Sequence, residues 1–462
     1  MAGVGFELRR LMRRKTLGGL VHAYAYAGLI GSGPWLMSIV AILAIGLIAS
    51  AGTSPGAIQP TFIAQFQVSI TYLMAGSLLL TSPLQLLFTR YVADRMFENR
   101  DYLILPNLLG ALTLTILASV AVVGPLLLFW VEGSFEYQLC MLVSFIVLSS
   151  IWIVQIFASA IKAFRLILCV YAIGYTLTVV AAISLRQYGL EGLLFGFTVS
   201  QAILLFTLLA MVIRQYPGRR LVEFSFLRRD QIFPGLALTG LFYSLAMWTD
   251  KFIFWADDLT SVSLVGTLRT SPIYDFPIFL AYLSIIPGMA VMLVRMEVDL
   301  ADQCTHFYRE VTNATWQQIL DAKQNLVDSI KGGILGMFKI QLVTTVILLL
   351  VSDDLLNLFG ISSLYRPLLN VDLVAAATLL IVLAIFNVLF YLDRRKTVLG
   401  LCLLFFISNV VFSKLSMLGG PLFYGYGLAA AVTLTLVVSI HYLSQTLDLC
   451  YHFSRTNQVI SQ

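Results

Sequence analysis

The sequence predicts an all-α membrane protein with about 12 transmembrane helices in two six-helix bundles and both termini in the cytoplasm. Three observations lead to this prediction: the composition, twelve long apolar runs and a one-sided distribution of basic residues. Of the 462 residues, 59% are hydrophobic and only 11% are charged, against roughly 25% charged in a typical soluble domain. A soluble protein of this length could not bury so much apolar surface in one core. The surrounding solvent is therefore predicted to be lipid.

Each membrane span needs roughly 20 apolar residues, and twelve stretches of that kind account for most of the chain. They lie at about 17–49, 62–92, 103–130, 138–161, 166–185, 190–213, 234–256, 274–296, 332–352, 372–392, 397–416 and 424–445. The first stretch is far longer than the apolar region of a signal peptide, which has ~7–15 residues. We therefore expect it to be a retained span.

The basic residues orient these spans. When successive connections are assigned to alternate sides, 23 of the 29 lysines and arginines fall on the side of the N-terminus. The side rich in basic residues faces the cytoplasm in membrane proteins, so we expect a multi-pass protein of the bacterial inner membrane with both termini inside. The net charge of +5 is interpreted as this orientation signal, and no nucleic-acid binding is inferred from it.

Spans and charges together predict the organisation of the chain. The first residues combine arginines with an apolar face, which suits a helix lying on anionic lipid. The longest loop has mixed charge and is expected to be a helical extension, either a docking surface for a cytoplasmic partner or a solvated connector. The predicted segments are a cytoplasmic amphipathic basic segment at 1–16, a six-helix bundle at 17–213, a basic cytoplasmic linker at 214–233, a second six-helix bundle at 234–445 with a cytoplasmic insertion at 297–331, and a cytoplasmic tail at 446–462.

Spans two and eight share a pattern that indicates an internal repeat. Because they are six spans apart, both run in the same direction, as in transporters built from two parallel repeats. Coincidence is the alternative explanation. The Arg–Asp pairs are interpreted either as gate charges or as ordinary salt bridges at helix ends. Each span has a proline and, at its predicted cytoplasmic end, an Arg-x-x-x-Asp pair: Pro83, Arg90 and Asp94 in span two, and Pro287, Arg295 and Asp299 in span eight.

Ionisable residues inside spans are costly in lipid and are therefore candidates for function. Asp250 and Lys251 in span seven are the clearest case. Adjacent helical residues point about 100° apart, so the two need not pair with each other. We predict that they face a water-filled translocation route together with Trp248; the alternative is an interfacial pair in a tryptophan belt. Lys339 in span nine is expected to snorkel to the cytoplasmic surface, or to act as a further gate charge.

The first span combines aromatic residues with a run of small residues before Pro34. Such a run lets a helix bend and lets neighbouring helices approach, so Pro34 joins Pro83 and Pro287 as a candidate hinge. Aromatic rings and polar groups suit sugars, and Tyr26, Trp35 and Tyr274 are predicted to line the substrate path. The wider pool, for which packing is the alternative, is Gln67, Tyr72, Trp152, Gln155, Tyr243 and Tyr282.

The sequence contains no recognisable enzyme constellation. It has no P-loop, no G-x-S-x-G and no H-E-x-x-H motif, so no catalytic residue and no cofactor is predicted. The five cysteines are scattered without a C-x-x-C pair, and the four histidines lack ligand spacing. No metal site is expected from such a pattern.

Several stretches together resemble the Pel exopolysaccharide transporter family, PelG. They are Met1-Ala2-Gly3-Val4-Gly5-Phe6-Glu7-Leu8-Arg9-Arg10, Ala23-Tyr24-Ala25-Tyr26-Ala27-Gly28, Ser32-Gly33-Pro34-Trp35, Trp248-x-Asp250-Lys251 with Phe254-Trp255, and Leu268-Arg269-Thr270-Ser271-Pro272-Ile273-Tyr274-Asp275. The resemblance implies a fold of the multidrug/oligosaccharidyl-lipid/polysaccharide flippase superfamily and export of an amino-sugar polymer of the biofilm matrix. It also implies an inner-membrane complex with a cytoplasmic glycosyltransferase, a cyclic-di-GMP-binding regulator and a scaffold subunit.

Three functions follow as hypotheses from these observations. The first is export of a growing exopolysaccharide from cytoplasm to periplasm through a cavity between the two bundles. The second, within the same fold, is a flippase for lipid-linked oligosaccharides or a cation-coupled drug antiporter. The third, from another class, is a non-transporting scaffold of a polysaccharide synthase complex.

Overall fold

The structure is a computed structural model, and it describes residues 61–359 and 361–460, apart from 162, 217, 219 and 229–232. It also describes ten residues between Tyr24 and Ile45, all of them helical. Within this described part, ten helices are long and apolar enough to cross a membrane. The predicted all-α membrane protein is confirmed. Pro34, Trp35 and the segment 1–16 lie outside the described residues.

The chain forms two compact units, and the first comprises Gly33–Trp248 and Phe254–Pro272. Within it, α3 packs against α1, α2 and α5, and α5 also packs against α4. The turn Thr249–Ile253 of α6 belongs to the second unit. The elements are α1 Thr61–Phe97, α2 Ile104–Trp130, α3 Phe135–Ala160, α4 Phe164–Ser184, α5 Gly189–Gln215, α6 Pro234–Trp255, and the strands β1 Val262–Val265 and β2 Leu268–Thr270.

Aromatic side chains fill the core of the first unit. Phe88 contacts Phe157 with ring centroids 5.4 Å apart, and Phe66 contacts Phe197 at 6.3 Å. All four side chains are fully buried. Since dispersion contacts rather than exclusion from water drive helix association in lipid, such close ring packing is a main source of cohesion here.

Pro83 lies inside α1 without breaking the helix. A proline has no backbone N–H, so the carbonyl four residues earlier loses its helical donor. The Ser82 hydroxyl donates to that carbonyl, Leu79 O, at 2.9 Å. The loss is therefore compensated locally, as membrane helices require.

A small β-hairpin, which the sequence did not predict, follows α6. Strands β1 and β2 are antiparallel, and their register shifts between Ser263 and Val265. Gln65 of α1 donates to Leu264 O at 2.9 Å, and the Tyr72 hydroxyl donates to Arg269 O at 2.9 Å. These bonds fasten the hairpin to the first half of α1.

The second unit comprises Thr249–Ile253 and Ile273–Gln462, together with the residues before Gly33. Here α14 packs against α12 and α13, while α10 packs against α8, α9 and α12. Its helices are α7 Pro272–Leu283, α8 Ile286–Val294, a π-helical turn Arg295–Leu300, α9 Ala301–Asn313, α10 Trp316–Leu350, α11 Ser352–Leu358, α12 Arg366–Tyr391, α13 Arg395–Leu418 and α14 Tyr426–Ile460.

The structure refines two predicted boundaries. Span eight, predicted as one helix over 274–296, consists of α7 and α8, with Pro287 in the first turn of α8. The insertion 297–331 is helical, as predicted, but its second arm is continuous with span nine in the single helix α10. A capping box between Thr315 and Gln318 starts that helix, and it fixes the point at which α10 begins after α9.

Candidate functional site

Asp250 and Lys251 lie near the end of α6 and are both buried; the Asp250 side chain has 0% exposure. Although they are neighbours in sequence, they form an ion pair. Lys251 Nζ is 3.0 Å from Asp250 Oδ2 and 3.2 Å from Oδ1. Lys251 therefore turns toward the carboxylate rather than along the helix to the surface.

Two tyrosines of α7 complete the surroundings of this pair. The Tyr274 hydroxyl donates to Asp250 Oδ2 at 2.8 Å, and Lys251 Nζ donates to the Tyr282 hydroxyl at 3.3 Å. Lys251 Nζ also lies 5.0 Å from the centroid of the Tyr282 ring, within cation–π distance. Asp250, Lys251, Tyr274 and Tyr282 are called the Asp250 cluster below. The predicted path residue Tyr274 is thus a direct partner of Asp250.

Asp372 of α12 is a second buried carboxylate, with 1% exposure. Neither of its oxygens has a hydrogen-bond partner among the described residues. It interacts electrostatically with Asp250, Lys251 and Tyr274. Among the described residues, two buried carboxyl groups, those of Asp250 and Asp372, thus lie near one ammonium, that of Lys251.

The beginning of α14 lies directly beside Asp372. Gly425, the residue before that helix, has a φ of +84°, and a Cβ at this position would lie 2.9 Å from Asp372 Oδ1. A side chain at position 425 would therefore be strained and would press on the carboxylate. The positive end of a helix dipole favours a nearby anion, which lowers the cost of Asp372 without neutralising it.

Sequence reasoning missed Asp372 because span ten was predicted to begin at that residue. The helix begins at Arg366, so Asp372 lies almost two turns inside it. The sequence did contain a usable signal. Pro367 fits the first turn of a helix, and an earlier start would have placed a carboxylate within the span.

The break in span eight is supported by Gln341 of α10, a residue with 1% exposure. Gln341 Nε2 donates to Ser284 O at 3.2 Å, which satisfies a carbonyl at the break between α7 and α8. Gly288 allows this approach, because a Cβ there would lie 2.5 Å from Gln341 Oε1. The candidate hinge Pro287 thus has a polar support from a neighbouring helix, and its role as a hinge stays a prediction.

The two predicted gate pairs form within their own helices. Arg90 Nε lies 2.9 Å from Asp94 Oδ1, and Arg295 Nη1 lies 2.8 Å from Asp299 Oδ2. Such exposed pairs four residues apart are typical of helix ends. Lys339 is exposed on α10. The gate role of these residues stays a prediction.

Most of the aromatic candidates have structural partners. Trp152 donates to Ser77 Oγ at 3.0 Å, and Tyr72 stacks on Trp255 with centroids 4.8 Å apart. The ring centroids of Trp248 and Trp255 lie 6.3 Å apart. Tyr26 is half-buried. Trp35 lies outside the described residues. Of this pool, Tyr274 and Tyr282 are hydrogen-bonded to the charged residues of α6.

Within the described residues, no group of three or more His, Cys, Asp or Glu side chains is placed to hold a metal ion. The polar groups found around Asp250 in the described part of the chain include one ammonium, two phenols and a second carboxyl group. This arrangement can bind and release a single positive charge, or can accept and donate hydrogen bonds.

The fold is that of known membrane transporters. An outward-facing multidrug resistance MATE family transporter of the MOP superfamily is 14% identical, with a TM-score of 0.65 over 92% of this chain and 96% of that one. MATE in the bent conformation matches with a TM-score of 0.65 and 14% identity, over 98% and 99% of the two chains. A MOP superfamily transporter from Pyrococcus furiosus gives 0.61 and 16% identity, over 92% and 96%. The chain therefore has the fold of a MOP superfamily transporter.

A family model identifies the particular group within this class. Residues 1–452 match the model described as "PelG: Putative exopolysaccharide Exporter (EPS-E)", so the chain belongs to the PelG family. No curated protein matches the chain significantly. Both the family and the fold are those of transporters, and the protein is not an enzyme.

The ion pair predicts a specific pattern of stability. Lys251→Met would leave two buried carboxylates without their ammonium, and we expect a loss of about 3–5 kcal/mol, as for other broken buried pairs. Adding Asp250→Asn should recover a large part of this loss. The thermal midpoint of the purified protein measures both, with the exposed Lys414→Met as control. A double variant no more stable than Lys251→Met would contradict the pairing.

Proposed function

We propose that this protein exports an amino-sugar exopolysaccharide of the biofilm matrix from the cytoplasm to the periplasm across the bacterial inner membrane. The match to the PelG family over residues 1–452 supports the substrate class, and the MOP fold supports a transport function. The distribution of basic residues supports the direction, since it puts both termini in the cytoplasm. Two six-helix halves on either side of the linker 214–233 remain our proposal for its organisation.

The observation that carries the mechanism is the buried carboxyl group of Asp372, which lies beside the Asp250 cluster and has no hydrogen-bond partner among the described residues. A charge at the centre of a span costs at least ~2.5 kcal/mol on insertion scales and less toward its ends, so an ionised Asp372 in the second turn of α12 carries part of that cost. We infer that a proton or a monovalent cation neutralises Asp372 in one step of the transport cycle. Such an ion gains about 2.3 kcal/mol per charge for each 100 mV when it moves down the membrane potential. The Asp250–Lys251 pair would then sense whether the neighbouring site is occupied.

A second candidate function has support from the fold. MATE transporters are described as multidrug resistance proteins, and cation-coupled drug antiport, like flipping of a lipid-linked oligosaccharide, would also use a buried carboxylate. These functions are distinguished by measuring the drug susceptibility of cells that express the protein without the other genes of polymer synthesis. An antiporter changes the susceptibility of such cells to cationic drugs, whereas a polymer exporter leaves it unchanged. A non-transporting scaffold would be insensitive to substitution at Asp372.

The predicted orientation is tested with reporter fusions. Fusions after residues 222 and 315 and at the C-terminus should report the cytoplasm, and those after 188, 265 and 418 the periplasm. Because successive connections lie on alternate sides of the membrane, one fusion that reports the unexpected side would reverse the side assigned to every later connection. A periplasmic C-terminus would contradict the proposed direction of export.

The export mechanism predicts that charge, rather than shape, matters at both carboxylates. Asp250→Asn and Asp372→Asn each keep the volume of the side chain but remove the charge, and we expect export to be abolished at normal membrane abundance. Asp250→Glu should retain part of it. Secreted polymer per unit of membrane protein is the measurement, and Asp354→Asn, an exposed position on α11, is the matched control. Full export by both Asn variants would contradict the mechanism.

We also propose that the helical insertion binds the cytoplasmic glycosyltransferase of the synthesis complex. The insertion buries Phe307 on α9 and Leu326 on α10, so a partner would meet mainly polar side chains. Among them Arg309 is exposed, and Glu310 and Lys323 are partly exposed. The cyclic-di-GMP-binding regulator and the scaffold subunit belong to the same proposed complex.

Reversing Arg309, Glu310 and Lys323 to opposite charges should reduce co-purification of the glycosyltransferase, because their ionic contacts would become repulsive. The protein should still reach the membrane in normal amounts, since all three side chains lie outside the spans. The same reversal at Arg366, at the far end of α12, serves as control. Unchanged co-purification with the triple variant would support a simple solvated connector.

A further inference from the structure

Residues 220–228 form a strap across the end of the first unit at which α1 ends and α2 begins. Phe226 is fully buried, and its ring centroid lies 4.6 Å from that of Phe88. The Ser225 hydroxyl donates to Asn107 Oδ1 at 2.8 Å, and Glu223 N donates to Pro106 O at 3.0 Å. The strap is therefore fixed on the helices and is not a loose connector.

The outer face of this fixed strap is apolar. Leu221 is 84% exposed and Phe224 is 46% exposed, and Val222 and Leu227 are similarly open. The end of α1 exposes Phe97 in the same way. Burying one such side chain stabilises a protein by about 1.5–3 kcal/mol. Several exposed apolar side chains on a rigid segment therefore indicate a surface that is covered by lipid or by another protein.

Basic residues accompany these apolar side chains. Arg214, Arg220 and Arg228 are exposed, and residues 214–230 contain five arginines against two acidic residues. Arg220 Nη1 lies 2.8 Å from Glu223 Oε1 and forms an ion pair with it. Arg214 and Arg228 form no ion pair with an acidic side chain of the described residues. Each basic side chain near an anionic lipid surface contributes about 1 kcal/mol.

The position of the strap also points to lipid. It is bonded to the last turns of α1 and the first turn of α2, where two apolar spans leave the hydrocarbon and reach the headgroups. The helical insertion provides the contrast, because it has six acidic and three basic residues within 297–331 and buries Phe307 and Leu326. Its surface suits a protein, whereas the strap combines apolar and basic side chains as interfacial segments do.

We propose that residues 220–228 are a lipid-binding strap, which inserts Leu221, Phe224 and Leu227 below the phospholipid headgroups and places Arg228 against anionic headgroup phosphates. The strap anchors this end of the first unit in the bilayer interface. This inference does not depend on the transported substrate or on ion coupling.

Spin labels measure the depth of the strap directly. The full chain, with its native cysteines replaced, carries a nitroxide at Leu221→Cys or Leu227→Cys in nanodiscs of phosphatidylcholine with phosphatidylglycerol. Both labels should collide more with oxygen, which dissolves in the bilayer, than with a water-soluble nickel complex. Asn325→Cys, exposed on the insertion, should show the reverse. Labels at 221 and 227 that are as accessible to nickel as the label at 325 would overturn the proposal and favour a soluble protein partner.

A titration tests the anionic headgroup separately. In micelles, phosphatidylglycerol should raise the thermal midpoint of the wild type more than phosphatidylcholine does. Arg228→Gln should weaken this response about fivefold in lipid concentration, which is ~1 kcal/mol for one arginine converted at 1.4 kcal/mol per tenfold. Lys414→Gln, an exposed lysine of α13, should leave it unchanged. Equal responses of Arg228→Gln and wild type would overturn the assignment of Arg228 to the lipid phosphate.

Discussion

The free-energy cost of placing a charged side chain inside a bilayer determines how the ionisable residues of the second unit are arranged. Asp250 and Lys251 offset part of that cost by pairing with each other, with Tyr274 and Tyr282 as hydrogen-bond partners. Removing one partner of a buried pair typically costs 3–5 kcal/mol, so within the second unit the turn Thr249–Ile253 and the helix α7 are held together by these contacts. Asp372 has no such partner in the described part of the chain. That difference between two neighbouring carboxylates is the basis of the proposed coupling.

The same requirement acts on the backbone. Pro83 leaves one carbonyl without its donor, and the Ser82 hydroxyl supplies a replacement within the same helix. At Pro287 the helix is broken, and Gln341 of another helix donates to the nearby carbonyl Ser284 O. Spans two and eight share a sequence pattern, but they differ in the source of the hydrogen-bond donor near the proline. In span two the donor belongs to the same helix, and in span eight it belongs to a neighbouring helix. A movement of α10 would therefore change the support of the break in span eight, whereas α1 has no comparable dependence.

Much of the fold could be predicted because apolar runs of sufficient length are unambiguous in lipid. Helix α2, expected at 103–130, spans Ile104–Trp130. The β-hairpin escaped prediction because its strands have four and three residues and depend on side chains of α1, nearly 200 positions away. Asp250 and Lys251 could be chosen as candidates from the sequence because charge inside an apolar run is conspicuous. Their pairing, and the contribution of Asp372, depend on rotamers and on a helix start that hydropathy does not resolve.

The central claim, that Asp372 is neutralised reversibly by a proton or a cation, is tested most directly by infrared difference spectroscopy on the protein in nanodiscs. Steps of pH and of sodium concentration are applied to the wild type, Asp372→Asn and Asp354→Asn. The account predicts a buried carboxyl signal, either the carbonyl band of an acid or a sodium-dependent carboxylate shift. This signal should be absent from Asp372→Asn and retained in Asp354→Asn. A spectrum of the wild type that matches that of Asp372→Asn at every pH and sodium concentration would contradict it.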